Sequence, residues 1–223
     1  MTAPADAMAH PRLELMDWKR RVMEMYAAVR MGGGDPAACA AFRGERDELF
    51  ATHPASPLPP EGRASFAGLP YFPHRASLRV EAELEPEADG PELAIPTSTG
   101  EPTRFTRIGR VRPVLDGERV SLAVYWLEGY GGGLFLPFRD GQAGAATYGG
   151  GRYLLDTVKG ADLGTSGEAL VLDFNYAYNP SCAYDPHWSC PLAPPENRVP
   201  ISVPAGEMVF AATEGSAPSR ERH

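Results

Sequence analysis

Ser77-Leu78-Arg79-Val80-Glu81-Ala82-Glu83-Leu84-Glu85 alternates apolar and charged side chains. A repeat of two puts Leu78, Val80, Ala82 and Leu84 on one face and Arg79 with the acids on the other, as in a half-buried β-strand. Strand-like runs follow at 92–97, 103–108, 110–115, 119–128, 134–138, 152–156, 168–174 and 207–212. Within 119–128, Val120, Leu122, Val124 and Trp126 share a face, and Asp116-Gly117 between two runs is a hairpin signal. About nine short strands with close connections predict a mainly β protein with N-terminal helices, an antiparallel β-barrel or sandwich with the helices across one end or face. The 24 glycines and 23 prolines are spread along the 223 residues, supplying the turns such a fold needs.

Upstream of this region the period is helical. From Leu15, the residues Trp18, Val22, Met25, Tyr26 and Val29 recur at steps of three and four. Gly32-Gly33-Gly34 stops that helix, and Asp35-Pro36 reads as an N-cap followed by proline at the first helical position. A second helix is expected to bury Ala38, Phe42, Leu49 and Phe50 and to stop before Pro54. The expected organisation is a disordered start (1–12), a two-helix extension (13–52), an extended proline-rich connector (53–63), a β-rich domain (64–213) and a disordered tail (214–223).

Composition narrows the class further. An apolar content of 43% in 223 residues suffices for one sizeable core. With 29 acidic and 21 basic residues the net charge is -8, which disfavours general nucleic-acid binding. No apolar run approaches the ~20 residues of a membrane helix. The basic cluster near the N-terminus follows the weakly apolar part, the reverse of a signal peptide. Three cysteines are too few for a disulfide scaffold, so a reduced, cytoplasmic protein is expected. Nothing in the pattern specifies an oligomer.

Two segments are dense in polar chemistry. Residues 172–200 hold Asp173, Asn175, Tyr178, Asn179, Cys182, Tyr184, His187, Trp188, Cys190 and the triplet Glu196-Asn197-Arg198. Every buried member must find a partner, so the segment is either a satisfied structural loop or the wall of a site. Residues 137–154 carry Arg139, Asp140, Tyr148, three glycines and Arg152. They read as a binding rim with opposed charges, or as a hairpin in which Asp140 caps the loop and Arg152 pairs nearby. The motifs Gly68-Leu69-Pro70-Tyr71-Phe72-Pro73, PFRD (137–140) with TYGGGRYL (147–154), and LDFNYAYNPSCAYDPHWSCPLAPPEN (172–197) together resemble the bacterial and archaeal family known as domain of unknown function 1684. The resemblance runs from about the second helix to Glu207 and implies little about activity. His187 stands where that family generally has another residue, which weakens any mechanism that depends on it.

Cys182, His187 and Cys190 form a C-x4-H-x2-C arrangement with zinc-ligand types, but no fourth ligand or paired knuckle accompanies them. Neither a cofactor nor a metal is therefore expected, and buried free cysteines are the simpler reading. Catalysis by Cys182 would need His187 as base, and no G-x-S-x-G elbow supports a serine hydrolase. The carboxylates are better placed. In strand alternation Ala169, Val171, Asp173 and Asn175 share a face, apolar residues giving way to polar ones as at a barrel mouth. The alternative is that Asp173 and Asn175 cap neighbouring turns. Arg104, Arg107, Arg110 and Arg112 are expected to form cross-strand ion pairs with the Glu81, Glu83, Glu85 row.

Three functions remain open. The first is an enzyme acting on a small polar or anionic substrate, with Asp140 or Asp173 as base and Arg152 and Arg198 steering; Arg139, Asn175, Asn179, Glu196 and Asn197 complete that site. The second is a non-catalytic small-molecule-binding barrel with contacts from Tyr148, Tyr178, Tyr184 and Trp188. The third is a structural or protein-interaction domain.

Overall fold

The computed structural model describes residues 10–87, 90, 92–100 and 102–211. The expected disordered ends fall largely outside these residues. Helix α1 (Pro11–Gly32) starts with proline at its first turn and ends at Gly33, whose φ of 72° closes it in the left-handed region. Asp35 then caps α2 (Pro36–Thr52), its Oδ1 accepting from the Ala38 N–H at 2.7 Å. Val22, Met25, Tyr26 and Val29 are buried as the periodicity requires, whereas Leu15 is 43% exposed and the buried stripe of α1 begins only at Trp18. On α2, Phe42, Leu49 and Phe50 are buried, and Cys39 rather than Ala38 joins them, together with Arg46. The proline-rich connector is turned, not extended. Ser56 Oγ donates to Phe50 O (2.7 Å), α3 (Pro60–Arg63) forms a single turn, and Arg63 Nη2 donates back to Pro54 O (3.0 Å).

The β region contains eleven antiparallel strands among the described residues. The expected strand 77–85 is divided. β1 (Arg79–Glu83) lies in a three-stranded sheet with β10 (Thr165–Ser166) and β11 (Ala169–Asp173). After Leu84 the chain crosses to a second sheet as β2 (Glu85–Pro86). That larger sheet has the order β2, β4 (Pro102–Val111), β7 (Leu122–Leu127), β8 (Gly133–Phe138), β9 (Arg152–Asp156), with β3 (Glu92–Pro96) also paired to β4. The two runs expected at 103–108 and 110–115 are mostly one strand, β4, whose register shifts between Arg107 and Gly109. Glycine is required there: a Cβ on Gly109 would lie 2.3 Å from Glu85 O. Asp116 and Gly117 both have positive φ (49° and 90°) and join β5 (Val114–Leu115) to β6 (Glu118–Arg119), the predicted hairpin.

The core has contributions from both sheets: Ala82 and Leu172 of the smaller, with Leu78 just before it, pack with Leu122, Val124, Leu136 and Leu154 of the larger. The outer face of the larger sheet buries Phe105, Ala123, Tyr125, Phe135 and Tyr153. Strand β7 is therefore buried on both faces, and Trp126, expected to share the Val124 face inward, is 41% exposed. On the other side of the smaller sheet, Val171 and Tyr176 pack against α1 and α2. The expected strand at 207–212 does not form in the described part. The N–H groups of residues 207–209 donate to Ala177 O, Pro70 O and Ala146 O in turn instead of to one ladder. No helix of the described residues is long and apolar enough to cross a membrane.

Candidate functional site

Three polar clusters bond largely among themselves, two of them buried and the third half-buried. In the first, β8 runs into the 139–151 loop and β9 returns with Arg152, which is 1% exposed. Its Nη2 donates to Asp140 Oδ2 (2.5 Å) and Val203 O (3.0 Å), and its Nη1 donates to Glu207 O (3.0 Å) and Ala205 O. Asp140 Oδ1 accepts from the Thr147 hydroxyl and the Gln142 N–H, both at 2.8 Å. Burial pulls the guanidinium below its usual pKa, with Asp140 opposing. The glycine run has a steric cause at Gly151, where φ is 93° and a Cβ would lie 2.7 Å from Phe138 O.

The second cluster centres on Glu207. Its carboxylate accepts from Arg46 Nε (2.6 Å), the Asn179 N–H (2.9 Å) and the Tyr184 hydroxyl, while Asn179 Nδ2 donates to Met208 O (2.8 Å). In the third, Glu196 accepts from Arg107 Nη1 (2.7 Å), Arg110 Nη2 (2.6 Å) and Tyr125 Oη (2.6 Å). Burial opposes ionisation of Glu196, but the Tyr125 hydrogen bond and the two guanidiniums outweigh it and hold its pKa low. Asn197 clamps the same segment to the sheet, exchanging bonds with the Ala123 backbone (2.7 and 2.9 Å) and donating to Pro137 O (2.7 Å). Arg198 is exposed, and it meets Arg139 through the backbone. Of the expected acid row only Glu85 pairs with an arginine among the described residues, Arg112; Arg104 pairs with Glu92, and Arg107 and Arg110 with Glu87 and Glu196, while Glu81 and Glu83 stand opposite Val171 and Ala169 of β11.

Asp173 differs from these groups. It ends β11 directly opposite Arg79, the first residue of β1. Because faces alternate, Leu172 enters the inter-sheet core while Val171 and Asp173 turn toward the helices. The polar end of the strand thus lies beneath the α1–α2 turn and not at a barrel mouth. Asp173 Oδ1 accepts from the Asn175 N–H (3.0 Å) and Asn175 Nδ2 (2.8 Å), so it does cap the following turn. Its Oδ2 has no hydrogen-bond partner although the residue is only 1% exposed. Asp173 lines a cleft of about 270 Å³ together with Arg30, Gly34, Arg79, Thr165 and Ser166. Gly34 (φ 72°) makes the approach possible: a Cβ there would stand 3.2 Å from both Arg79 Nε and Asp173 Oδ2. Burial raises the Asp173 pKa, against the Asn175 hydrogen bonds and the charges of Arg79 and His74. The cleft therefore pairs guanidinium donors with a carboxyl poised to hold or take a proton.

A raised folded-state pKa means that the native protein binds more protons than the unfolded chain between the ordinary carboxylate value and the raised one. Stability from this group is present below that window and lost as pH rises through it. Asp173→Asn, which keeps the Oδ1 acceptor, is expected to raise Tm at neutral pH, with the gain shrinking below the ordinary carboxylate range. Thermal melts at pH 7 and pH 4 check this; an equal effect at both would contradict it.

The remaining predicted residues lie elsewhere. Tyr178 exchanges backbone bonds with Tyr153 (2.8 and 3.0 Å), and Tyr148 Oη is 3.6 Å from Cys182 Sγ. His187 is 92% exposed and bonded to Asp185, Trp188 Nε1 donates to Pro57 O (3.2 Å), and Cys182 and Cys190 are buried together. Among the described residues no three acids, histidines or cysteines stand together as metal ligands. Arg30, Gly34, Arg46, Arg79 and Glu207 were missed by sequence reasoning. Only Gly34 carried a local signal, as the last of three glycines before a helix cap.

A helix-backed, antiparallel β protein with a polar cleft at a strand end is the class that these features define. The chain belongs to the family described as protein of unknown function DUF1684, whose model matches residues 64–208. That span contains all three motif stretches and begins after α2, not within it. Among solved structures the chain is similar to the solution NMR structure of an uncharacterised protein from gene locus rrnAC0354 of Haloarcula marismortui. The two are 36% identical, the match covers 76% of this chain and 91% of that one, and the TM-score is 0.55. A search of curated proteins gives no match.

Proposed function

We propose that the protein binds a small polar or anionic molecule in the Asp173–Arg79 cleft, and that Asp173 serves there as proton acceptor or donor. The observation that carries this reading is the unpartnered, buried Oδ2 of Asp173, a residue that lines the cleft. An orphaned buried carboxylate oxygen is costly, and a ligand hydroxyl, amide or acidic proton would satisfy it. Arg79 and Arg30 supply the positive field for an anionic group. Asp140, Arg152, Asn179, Glu196 and Asn197 have roles inside the fold, so the catalytic weight moves to Asp173. As an architecture we propose an open sandwich of two sheets rather than a closed barrel. A cytoplasmic setting fits three unbridged, buried cysteines.

A non-catalytic binder is the second reading, favoured by the fact that Asp173 is the buried carboxyl of the cleft and Glu81 an exposed one at its rim. A structural role for 138–153 and 173–198 is supported by the three closed clusters. An amide-shift titration with sodium succinate and with inorganic phosphate tests binding. Saturable shifts at Gly34, Gly164 and Ser166, lost in Arg79→Gln, are expected. Catalysis adds that Asp173→Asn binds the anion and turns nothing over. Absence of saturable shifts with either anion would remove the small-anion reading.

A further inference from the structure

The 182–190 loop brings two thiols and a phenol together outside the cleft. Pro180 leads into a single 3-10 turn, Ser181–Ala183, which places Cys182. The chain then loops outward through exposed residues 186–189 and returns at Cys190, which is tied to the sheet edge: its N–H donates to Ser98 Oγ (3.1 Å) and its O accepts from the Ser98 N–H (2.9 Å). The Cys182 N–H points at Cys190 Sγ (3.3 Å), and Tyr148 Oη lies 3.6 Å from Cys182 Sγ. No described side chain bridges the two sulfurs as a metal site would. The arrangement is more than two cysteines packed as small hydrophobes, because each thiol has a distinct partner set. The family assignment does not mention it, and the Asp173 cleft does not use it.

We propose that Cys182 and Cys190 form a reversible redox pair, with Cys182 the nucleophile toward a small peroxide and Cys190 the resolving thiol. The asymmetry of the pair supports those roles. Hydrogen bonds from Cys190 and Tyr148 outweigh burial at Cys182 and lower its thiol pKa, which favours the thiolate there. The same contact, with burial, pushes Cys190 up and keeps its proton on. In the first step the Cys182 thiolate attacks one peroxide oxygen. An S–O bond forms, the O–O bond breaks, and the departing hydroxide takes a proton to become water. In the second step Cys190 sulfur attacks the Cys182 sulfenic acid. The S–S bond forms, the S–O bond breaks, and the Cys190 proton leaves with the hydroxide as a second water. Two thiols lose two electrons and the peroxide gains them; a thiol reductant restores the pair. The cross-link would fix the return strand Ser189–Pro191, which walls a separate, apolar cavity of about 200 Å³ beside Phe105, Phe135 and Tyr153.

Two measurements on the full chain test this. Stoichiometric hydrogen peroxide is expected to remove two hydrogens from the intact mass of both wild type and Cys39→Ala, reversibly with a thiol reductant. Cys190→Ser is expected to stop at a dimedone-reactive sulfenic acid on Cys182, and Cys182→Ser to remain unoxidised. Since those variants alter buried positions, iodoacetamide labelling of the unmodified wild type across pH stands beside them. Peptide mapping should show Cys182 labelled with a midpoint below that of an ordinary cysteine while Cys190 stays unlabelled. Failure of the wild type to lose two hydrogens, equal oxidation of Cys182→Ser, or labelling that is absent or favours Cys190 would each overturn the proposal.

Discussion

Arg152→Ala is expected to lower stability by about 3–5 kcal/mol, because it leaves the Asp140 carboxylate buried without its counter-charge. Asp140 is 6% exposed overall, and its Oδ2 meets the guanidinium at 2.5 Å. The carbonyls of Val203, Ala205 and Glu207 lose their donor in the same stroke. For a chain of this size that loss corresponds to a Tm drop of roughly 6–20 °C. Urea melts of the single variant and of the Asp140→Leu, Arg152→Met double variant separate the causes. A double variant that recovers much of the loss would show that the unpaired charge, not the missing volume, does the damage. A single variant within ~0.5 kcal/mol of wild type, the range for an uninvolved surface change, would refute the closed-cluster description.

Glu207→Ala is expected to cost a similar ~3–5 kcal/mol through a different route. Glu207 is fully buried and accepts from α2, from the Asn179 backbone and from Tyr184, so one truncation strands Arg46, a backbone N–H and a phenol together. Glu207→Gln should be milder, since it keeps acceptor geometry while losing the charge. The exposed Arg198→Ala, by contrast, should stay within ~0.5 kcal/mol. Chemical denaturation of the three variants orders them. Equal, small effects would mean that Glu207 is not the hub its hydrogen bonds describe.

Much of this architecture could be read from local pattern. The caps at Asp35 and the hairpin at Asp116-Gly117 are short-range rules, and both hold. The single strand read at 77–85 failed because alternation reports which face is buried, not which sheet a strand joins; the switch after Leu84 is a tertiary event. Trp126 failed because a strand buried on both faces no longer reports one face. The site was legible as composition and not as geometry. Residues 173–198 and 138–153 were legible as dense in polar groups, yet which of them were spent on each other depended on partners far along the chain. Asp173 meets Arg79 only through strand pairing, and Gly34 reaches both only because α2 folds back over the sheet.

The bond between Arg46 and Glu207 spans 161 residues of sequence. At a synthesis rate of ~5–20 residues per second, α2 leaves the ribosome on the order of ten to thirty seconds before its counter-ion exists. During that interval the Arg46 guanidinium, stacked on Phe50 of its own helix, has no carboxylate partner from Glu207. The N-terminal helices therefore cannot act as a folding seed in their final packing. Their contact through Arg46 must wait until residue 207 has been made, so α2 is fastened to the β region by a bond that forms late.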